Sequence, residues 1–329
     1  MPRRVLVIGG ASLVGSHLCD RLLADGDEVV AIDDLSRGTY ANIAHLKNES
    51  RFAFVEHDVS QPFKAHVDEV FHLALPSTKE TIASDPVHAA VTSVMGTVHA
   101  LEVAREHRAR VVLATSPERW GDAIRCAESL AIEYVRRSKL DVRIVRIPSP
   151  YGPRTAVDDA SVVSRLVVAC LRGAALDAVD DDDLLHLTYV DDAIETLLRM
   201  MRSDVRIPCV VAPYTEATLG GLVRAIAAAM RKAREVSDGR TEDSFPPPLP
   251  PPSREAVLAF TAAIARPTIS DALPASLAFG LSPAVDLDEA IRRTVTWFAE
   301  RVRSLRPNDA RSGIFERRTG GAKTSSGAA

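Results

Sequence analysis

Val5 to Leu18 reads VLVIGGASLVGSHL, and the fold is decided by this stretch. An apolar, β-branched run ends at Gly9 and Gly10, and Gly15 follows. Apolar residues then recur at Val14, Leu18 and Leu22, one face of a helix, until Gly26 supplies a stop. A second strand over residues 28–33 closes on Asp33. Strand, glycine turn, helix and acid-ended strand form the layout of a dinucleotide-binding βαβ unit, in which a pyrophosphate meets the N-terminus of the helix. Gly9 and Gly10 make the tight turn, Gly15 lets helix and strand pack closely, and Asp33 is placed to accept hydrogen bonds from an adenosine ribose. Asp33 points to NAD over NADP, an argument softened by nearby Arg37. The competing reading at this level is an α/β domain with an empty crevice.

Working outward, strands over 4–8, 51–55, 69–73, 110–114, 141–147 and 208–212 alternate with helices over 86–107 and 122–138. This predicts an α/β fold, a doubly wound parallel sheet (Rossmann), with ligands at the carboxyl ends of its strands. After Ile147 the pattern loosens into helices over 160–172, 190–202, 219–234 and 287–303, which belong to a smaller, interleaved C-terminal α/β substrate lobe. The expected organisation is a nucleotide-binding domain over 1–148, its sheet completed by 204–213, and a substrate lobe over 149–305. FPPPLPPP at 245–252 reads as a polyproline connector and 306–329 as a disordered tail.

Composition narrows the function classes. Forty basic against forty-four acidic side chains give a net charge of -4 without a basic stripe, so nucleic acid is not an expected partner. No apolar stretch approaches the roughly 20 residues of a bilayer span, so no membrane partner is expected either. Arg3 and Arg4 precede a short apolar run that turns at once to Ser16 and His17, which reads as a first strand and not a secretion signal. Cys19, Cys126, Cys170 and Cys209 stand too far apart for a zinc or dithiol motif; no metal is expected, and a reduced, cytoplasmic setting fits.

The chain resembles extended short-chain dehydrogenases/reductases of the NAD-dependent epimerase/dehydratase family, over about residues 5–298, and within it the UDP-glucuronate decarboxylase branch. The resemblance is carried by VLVIGGASLVGSHLCDRLL, EVVAIDDLSRG, FVEHDV, VDEVFHLALP, YGPR at 151–154, YVDD at 189–192 and ARPTI at 265–269. It implies bound NAD, with Gly9, Gly10, Ser12, Leu13, Val14 and Gly15 at the pyrophosphate and Asp33 at the ribose. Asp58 and Val59 would bracket the adenine, and Leu73 and Ala74 would pass along the cofactor. It also implies a nucleotide sugar met by Ser149, Tyr151, Arg154, His186 and Arg266, and a homodimer formed through 86–107 and 122–138.

The departures from that pattern concern chemistry. The family loop is G-x-x-G-x-x-G, and its middle glycine is here Ser12, which either crowds the phosphate or donates a hydrogen bond to it. The family oxidises a sugar hydroxyl with a Tyr-x-x-x-Lys pair, the lysine lowering the tyrosine pKa so that a phenolate acts as base. LATSPERWGD at 113–122 keeps Ser116 at the hydroxyl position and Glu118 at the acidic position, the two catalytic candidates. Aligning the helix that follows puts Trp120 and Ile124 where Tyr and Lys belong, and neither moves a proton. Tyr134 and Lys139 are five apart and further along, so Tyr134 reads as a packing residue.

Ser93 and Ser149 replace asparagines of the cofactor and substrate sides, and Ala265 replaces an arginine. The run Asp180 to Asp183 would repel a diphosphate unless a divalent cation intervened, and otherwise reads as a solvated loop. His57, His72 and His186 fall near strand ends, but no Ser or Cys partner spacing singles one out as a base; His186 stands where an arginine touches nucleotide phosphate in the family. Three readings stay open. One is an NAD-dependent nucleotide-sugar enzyme, although losing a general base costs about 100 to 10,000-fold. Another is a catalytically silent relative that binds dinucleotide or sugar nucleotide and works through a partner. The third is a non-redox enzyme built around Ser116, Glu118 and Arg266.

Overall fold

The computed structural model describes residues 2–75, 85–117, 122–157, 161–171, 184–204, 209–237 and 272–304. Glu118, Trp120, the acidic run 180–183, the connector 245–252, Ala265, Arg266 and the tail lie outside these residues.

Strand β1 (Arg4–Ile8) leads into α1 (Leu13–Ala24), β2 (Glu28–Asp33), β3 (Phe52–Glu56), β4 (Glu69–His72), α2 (Pro86–His107), β5 (Arg110–Thr115), α3 (Asp122–Ser138) and β6 (Val142–Arg146). There follow β7 (Pro150–Tyr151), α4 (Val162–Leu171), β8 (Leu184–Tyr189), α5 (Val190–Arg202), β9 (Cys209–Val211), β10 (Thr215–Thr218), α6 (Leu219–Ser237), β11 (Leu273–Pro274), α7 (Ala275–Phe279) and α8 (Leu287–Ser304).

The large sheet runs β11-β9-β6-β5-β4-β1-β2-β3 with every neighbouring pair parallel. Its central strands read as unbroken apolar runs because both faces are covered. Val5 and Val7 join the layer of Leu18, Leu22 and Leu197 from α1 and α5, while Leu6 and Ile8 join Leu101, Ala104 and Ala127 from α2 and α3. Strand order reverses between β1 and β4, where Ile8 lies beside His72. A crevice opens at such a switch point, between the loops leaving the two strands.

The opposite edge of this sheet anchors α5. Arg143 is buried inside β6, where its guanidinium meets Asp141 (3.0 Å) and donates to the Met200 and Ser203 carbonyls at the end of α5. Arg110 meets the same carboxylate (2.8 Å) and donates to the Met201 carbonyl. Two cations thus satisfy carbonyls that a helix C-terminus leaves without partners.

The second lobe packs α4, α6 and α8 around a three-stranded sheet of order β10-β8-β7, with β8 antiparallel to β10 and parallel to β7. The sequence reading placed helices in this lobe and missed β8 and β10. LLHLTY lacks alternation because four of its six residues are buried, and TEAT is too short and polar to announce a strand. Among the described residues no helix is long and apolar enough to cross a membrane.

Candidate functional site

The loop from β1 to α1 is shaped by its glycines. Gly9 adopts φ +84°, and a Cβ there would stand 3.1 Å from the Leu73 and Ala74 backbone, so the loops leaving β1 and β4 touch. A Cβ on Gly15 would lie 2.0 Å from the Gly9 carbonyl oxygen, a backbone clash that no side-chain movement relieves. The Gly9 and Gly10 N–H groups donate to the Ile32 carbonyl (2.7 and 3.2 Å), which pins the turn to the end of β2. Leu13 and Val14, the first residues of α1, keep N–H groups with no intrahelical acceptor, at the positive end of the helix dipole.

Ser12 has a role in the loop itself. Its hydroxyl donates to the Gly9 carbonyl (2.6 Å) and accepts from the Gly15 N–H (3.1 Å), so it is the N-cap of α1. The proton that could have reached a phosphate is held within the loop.

Asp33 is buried at the end of β2 and accepts from the Ala11 and Leu35 N–H groups, each at 2.9 Å. Burial pushes its carboxyl above the usual carboxylate range, while these two donors work against that shift. The Ala11 carbonyl accepts in turn from the Asn42 amide (3.0 Å), which also donates to the Arg154 carbonyl (3.0 Å). Asn42 therefore ties the glycine loop to the YGPR segment. Nothing in the sequence marked it, because a lone Asn in a polar turn carries no sign of burial. Across the sheet edge Asp58 accepts from the Ser60 N–H and hydroxyl, each at 2.8 Å, and the Val59 carbonyl meets Nδ1 of His99 on α2 (2.9 Å).

At β4, β5 and β6 the polar side chains face inward. His72 is fully buried, its Nε2 3.3 Å from the Thr97 hydroxyl, and burial alone lowers its pKa to about 4, so it is neutral near pH 7. Ser93 and Thr97 donate to carbonyls of their own helix, Ala89 and Ser93, each at 2.7 Å. Thr115, just before Ser116, donates to Glu128 on α3 (2.8 Å). Arg146 grips the same carboxylate in bidentate fashion (3.1 and 2.8 Å). Sequence reasoning missed Glu128, whose only signal is an acidic residue on an inward helical face.

Ile124, aligned with the family lysine, is 4% exposed. Tyr134 donates to Glu102 and so links α3 to α2; burial first and Glu102 second push its phenol up to about 12, far from a phenolate at neutral pH. Ser116 and Ser149 are half-buried beyond the ends of β5 and β6, with Ser149 strained at φ +27°.

Two expected substrate residues are engaged within the protein. Tyr151 is 2% exposed, its ring edge-on to Tyr189 at 5.6 Å in the core of the second lobe, where burial raises its hydroxyl pKa. Arg154, at φ +72°, turns onto α1, where its guanidinium donates to Asp20 (2.6 Å) because that carboxylate lies directly across the lobe junction. His17 on α1 meets the Pro153 carbonyl at 3.1 Å, and burial with nearby Arg154 lowers its pKa. His186 lies across from Glu216 on the neighbouring strand (3.4 Å) and against the Tyr214 ring (4.7 Å), with its Nδ1 buried and unpartnered. His57 meets the Gln61 carbonyl of its own turn (3.2 Å) and lies edge-on to the Phe63 ring (5.9 Å).

The glycine cradle, the α1 N-terminus and Asp33 suit the adenosine diphosphate part of an NAD molecule, while at the end of β5 Thr115 and Arg146 are both engaged with Glu128.

The family model described as NAD dependent epimerase/dehydratase family matches residues 5–125 and 121–210. UDP-glucuronic acid decarboxylase 1 of Arabidopsis thaliana is 35% identical over 227 residues, 61% of this chain and 52% of that protein. The chain spans about half the length of the Arabidopsis decarboxylases 1, 2 and 4 that it matches. The UDP-glucose 4-epimerase of Thermotoga maritima, solved with UDP-glucose, superposes with a TM-score of 0.68 at 20% identity, covering 91% of this chain and 99% of that one. The UDP-glucose 4-epimerase of Thermus thermophilus, solved with NAD, gives 0.66 at 22% identity, with 90% and 98% covered. At these identities the two structures show a shared fold.

Proposed function

The chain belongs to the NAD dependent epimerase/dehydratase family, and from that premise we propose that it is a binding member of the family: a relative of the UDP-glucuronic acid decarboxylases that holds an NAD-type dinucleotide and a nucleotide sugar and does not complete hydride transfer. The carrying observation is the state of the β5 and β6 ends. Ile124, aligned with the family lysine, is buried, and Thr115 and Arg146 are both engaged with Glu128, which supports a β5 end without the family's proton-transfer pair. Oxidising an alcohol without a base forfeits about 100 to 10,000-fold in rate.

A silent binder acts through a partner, and α2 with α3 offers the surface for one. Val87, Val91 and Met95 recur every four residues along α2 and are exposed, as is Ile132 on α3. This stripe supports a homodimer, and the same face would take an active homologue. None of the four cysteines forms a disulfide, which supports a cytoplasmic setting.

The test is incubation of the purified protein with UDP-glucuronate and NAD. The expected result is neither NADH nor a UDP-pentose above the protein-free control; either product overturns the silent reading. Calorimetry with NAD checks the binding claim separately, and no heat at millimolar ligand would sink it.

A further inference from the structure

We infer that the crevice recognises the adenosine diphosphate half of a dinucleotide and is indifferent to the nicotinamide half, so that ADP-ribose is as good a ligand as NAD. The inference rests on the dinucleotide crevice proposed above and divides it in two.

The first half lies over β1, β2 and β3. There the chain keeps a backbone cradle into which a Cβ at Gly15 would intrude, two N–H groups at the start of α1 without intrahelical acceptors, and a carboxylate at the end of β2 held in place by the Ala11 and Leu35 amides. Each device addresses phosphate or ribose. Asp33 uses one lone pair of each oxygen on those amides, and a carboxylate offers about four acceptor sites, so acceptor capacity remains for a ribose hydroxyl.

The second half lies over β4, β5 and β6, where a nicotinamide riboside would extend. Its carboxamide and ribose hydroxyls need donors and acceptors wherever they leave water. Among the described residues Ser93 and Thr97 are engaged on carbonyls of their own helix and Thr115 and Arg146 on Glu128, while the unpartnered Nδ1 of His72 is fully buried. Buried Ile124 offers only methyl groups. Only six residues separate β5 from α3, so the helix begins almost at once after Ser116. The α1 N–H groups that would meet a pyrophosphate lack intrahelical acceptors, whereas Ser93, Thr97, Thr115 and Arg146 are engaged within the protein.

Isothermal titration of the full chain with NAD, NADH, ADP-ribose and nicotinamide mononucleotide tests this. Dissociation constants for NAD, NADH and ADP-ribose that agree within about fivefold, with ADP-ribose displacing NAD in competition and the mononucleotide giving no heat at about 1 mM, are the expected result. NAD or NADH binding more than about fivefold tighter than ADP-ribose, or a measurable heat from the mononucleotide, overturns the inference and leaves the dinucleotide reading standing. Silence from all four ligands overturns both.

Discussion

His72 provides the sharpest check on the buried half of the site. Its Nε2 faces a Thr97 hydroxyl whose own proton is donated to the Ser93 carbonyl, so Nε2 carries the imidazole hydrogen and Nδ1 is left as a buried acceptor with no partner. Protonation would place a charge and an unsatisfied N–H in the apolar layer between sheet and α2. The pKa accordingly falls from 6.5 to about 4. A base whose folded pKa is depressed leaves stability intact above its unfolded pKa and removes it as pH falls from 6.5 toward about 4, because only the unfolded chain takes up the proton. Between pH 7 and pH 5 this linkage amounts to about 2 kcal/mol. Urea unfolding of the wild type and of His72→Asn at both pH values isolates the effect, since the other titrating groups cancel in the comparison. The stability advantage of the wild type over the variant should shrink by about 2 kcal/mol on going to pH 5. A difference that stays constant within about 0.5 kcal/mol refutes a neutral, buried His72.

Ser12→Ala should cost about 1 kcal/mol of stability and Ser12→Gly only a few tenths, as for a helix cap, with NAD affinity within about threefold of wild type in both. A tenfold change in calorimetric affinity, in either direction, would show that the hydroxyl acts on the phosphate after all. Arg143→Met strips the Met200 and Ser203 carbonyls of their donor and leaves Asp141 with Arg110 alone. A loss of about 3 to 5 kcal/mol in urea unfolding is expected, and one below about 1 kcal/mol contradicts the anchoring role. Met95→Glu, at an exposed position on α2, should convert a dimer into a monomer by light scattering at tens of micromolar protein; a wild-type monomer rules out the homodimer.

Much of the scaffold was legible because it depends on neighbours along the chain. The strands 4–8 and 28–33 and the helices 86–107, 122–138 and 190–202 carry their bounds in turn residues and apolar spacing, and the structure has the same bounds. Asp85 caps α2 with Pro86 at its first position, a start signal readable by eye. The site was less legible. Arg154 reads as a ligand-facing cation until its carboxylate partner is found on α1, 134 residues earlier. Tyr151 reads as a site residue from its motif, yet its ring completes a core assembled from strands and helices distributed along the second lobe. Asn42 carried no pattern and Glu128 only an inward helical position, since their roles exist only where separate segments meet.

By itself the sequence determined the strand-glycine-helix cradle. It is local: Gly15 packs on Gly9, and Asp33 accepts from Ala11, all within one βαβ unit. Tertiary structure alone decided which polar groups are engaged within the protein. Ser12 became a cap, Thr115 and Arg146 closed on Glu128, and Arg154 closed on Asp20, because a hydrogen bond is won by the acceptor nearest in space, and that distance is set by packing rather than by order along the chain.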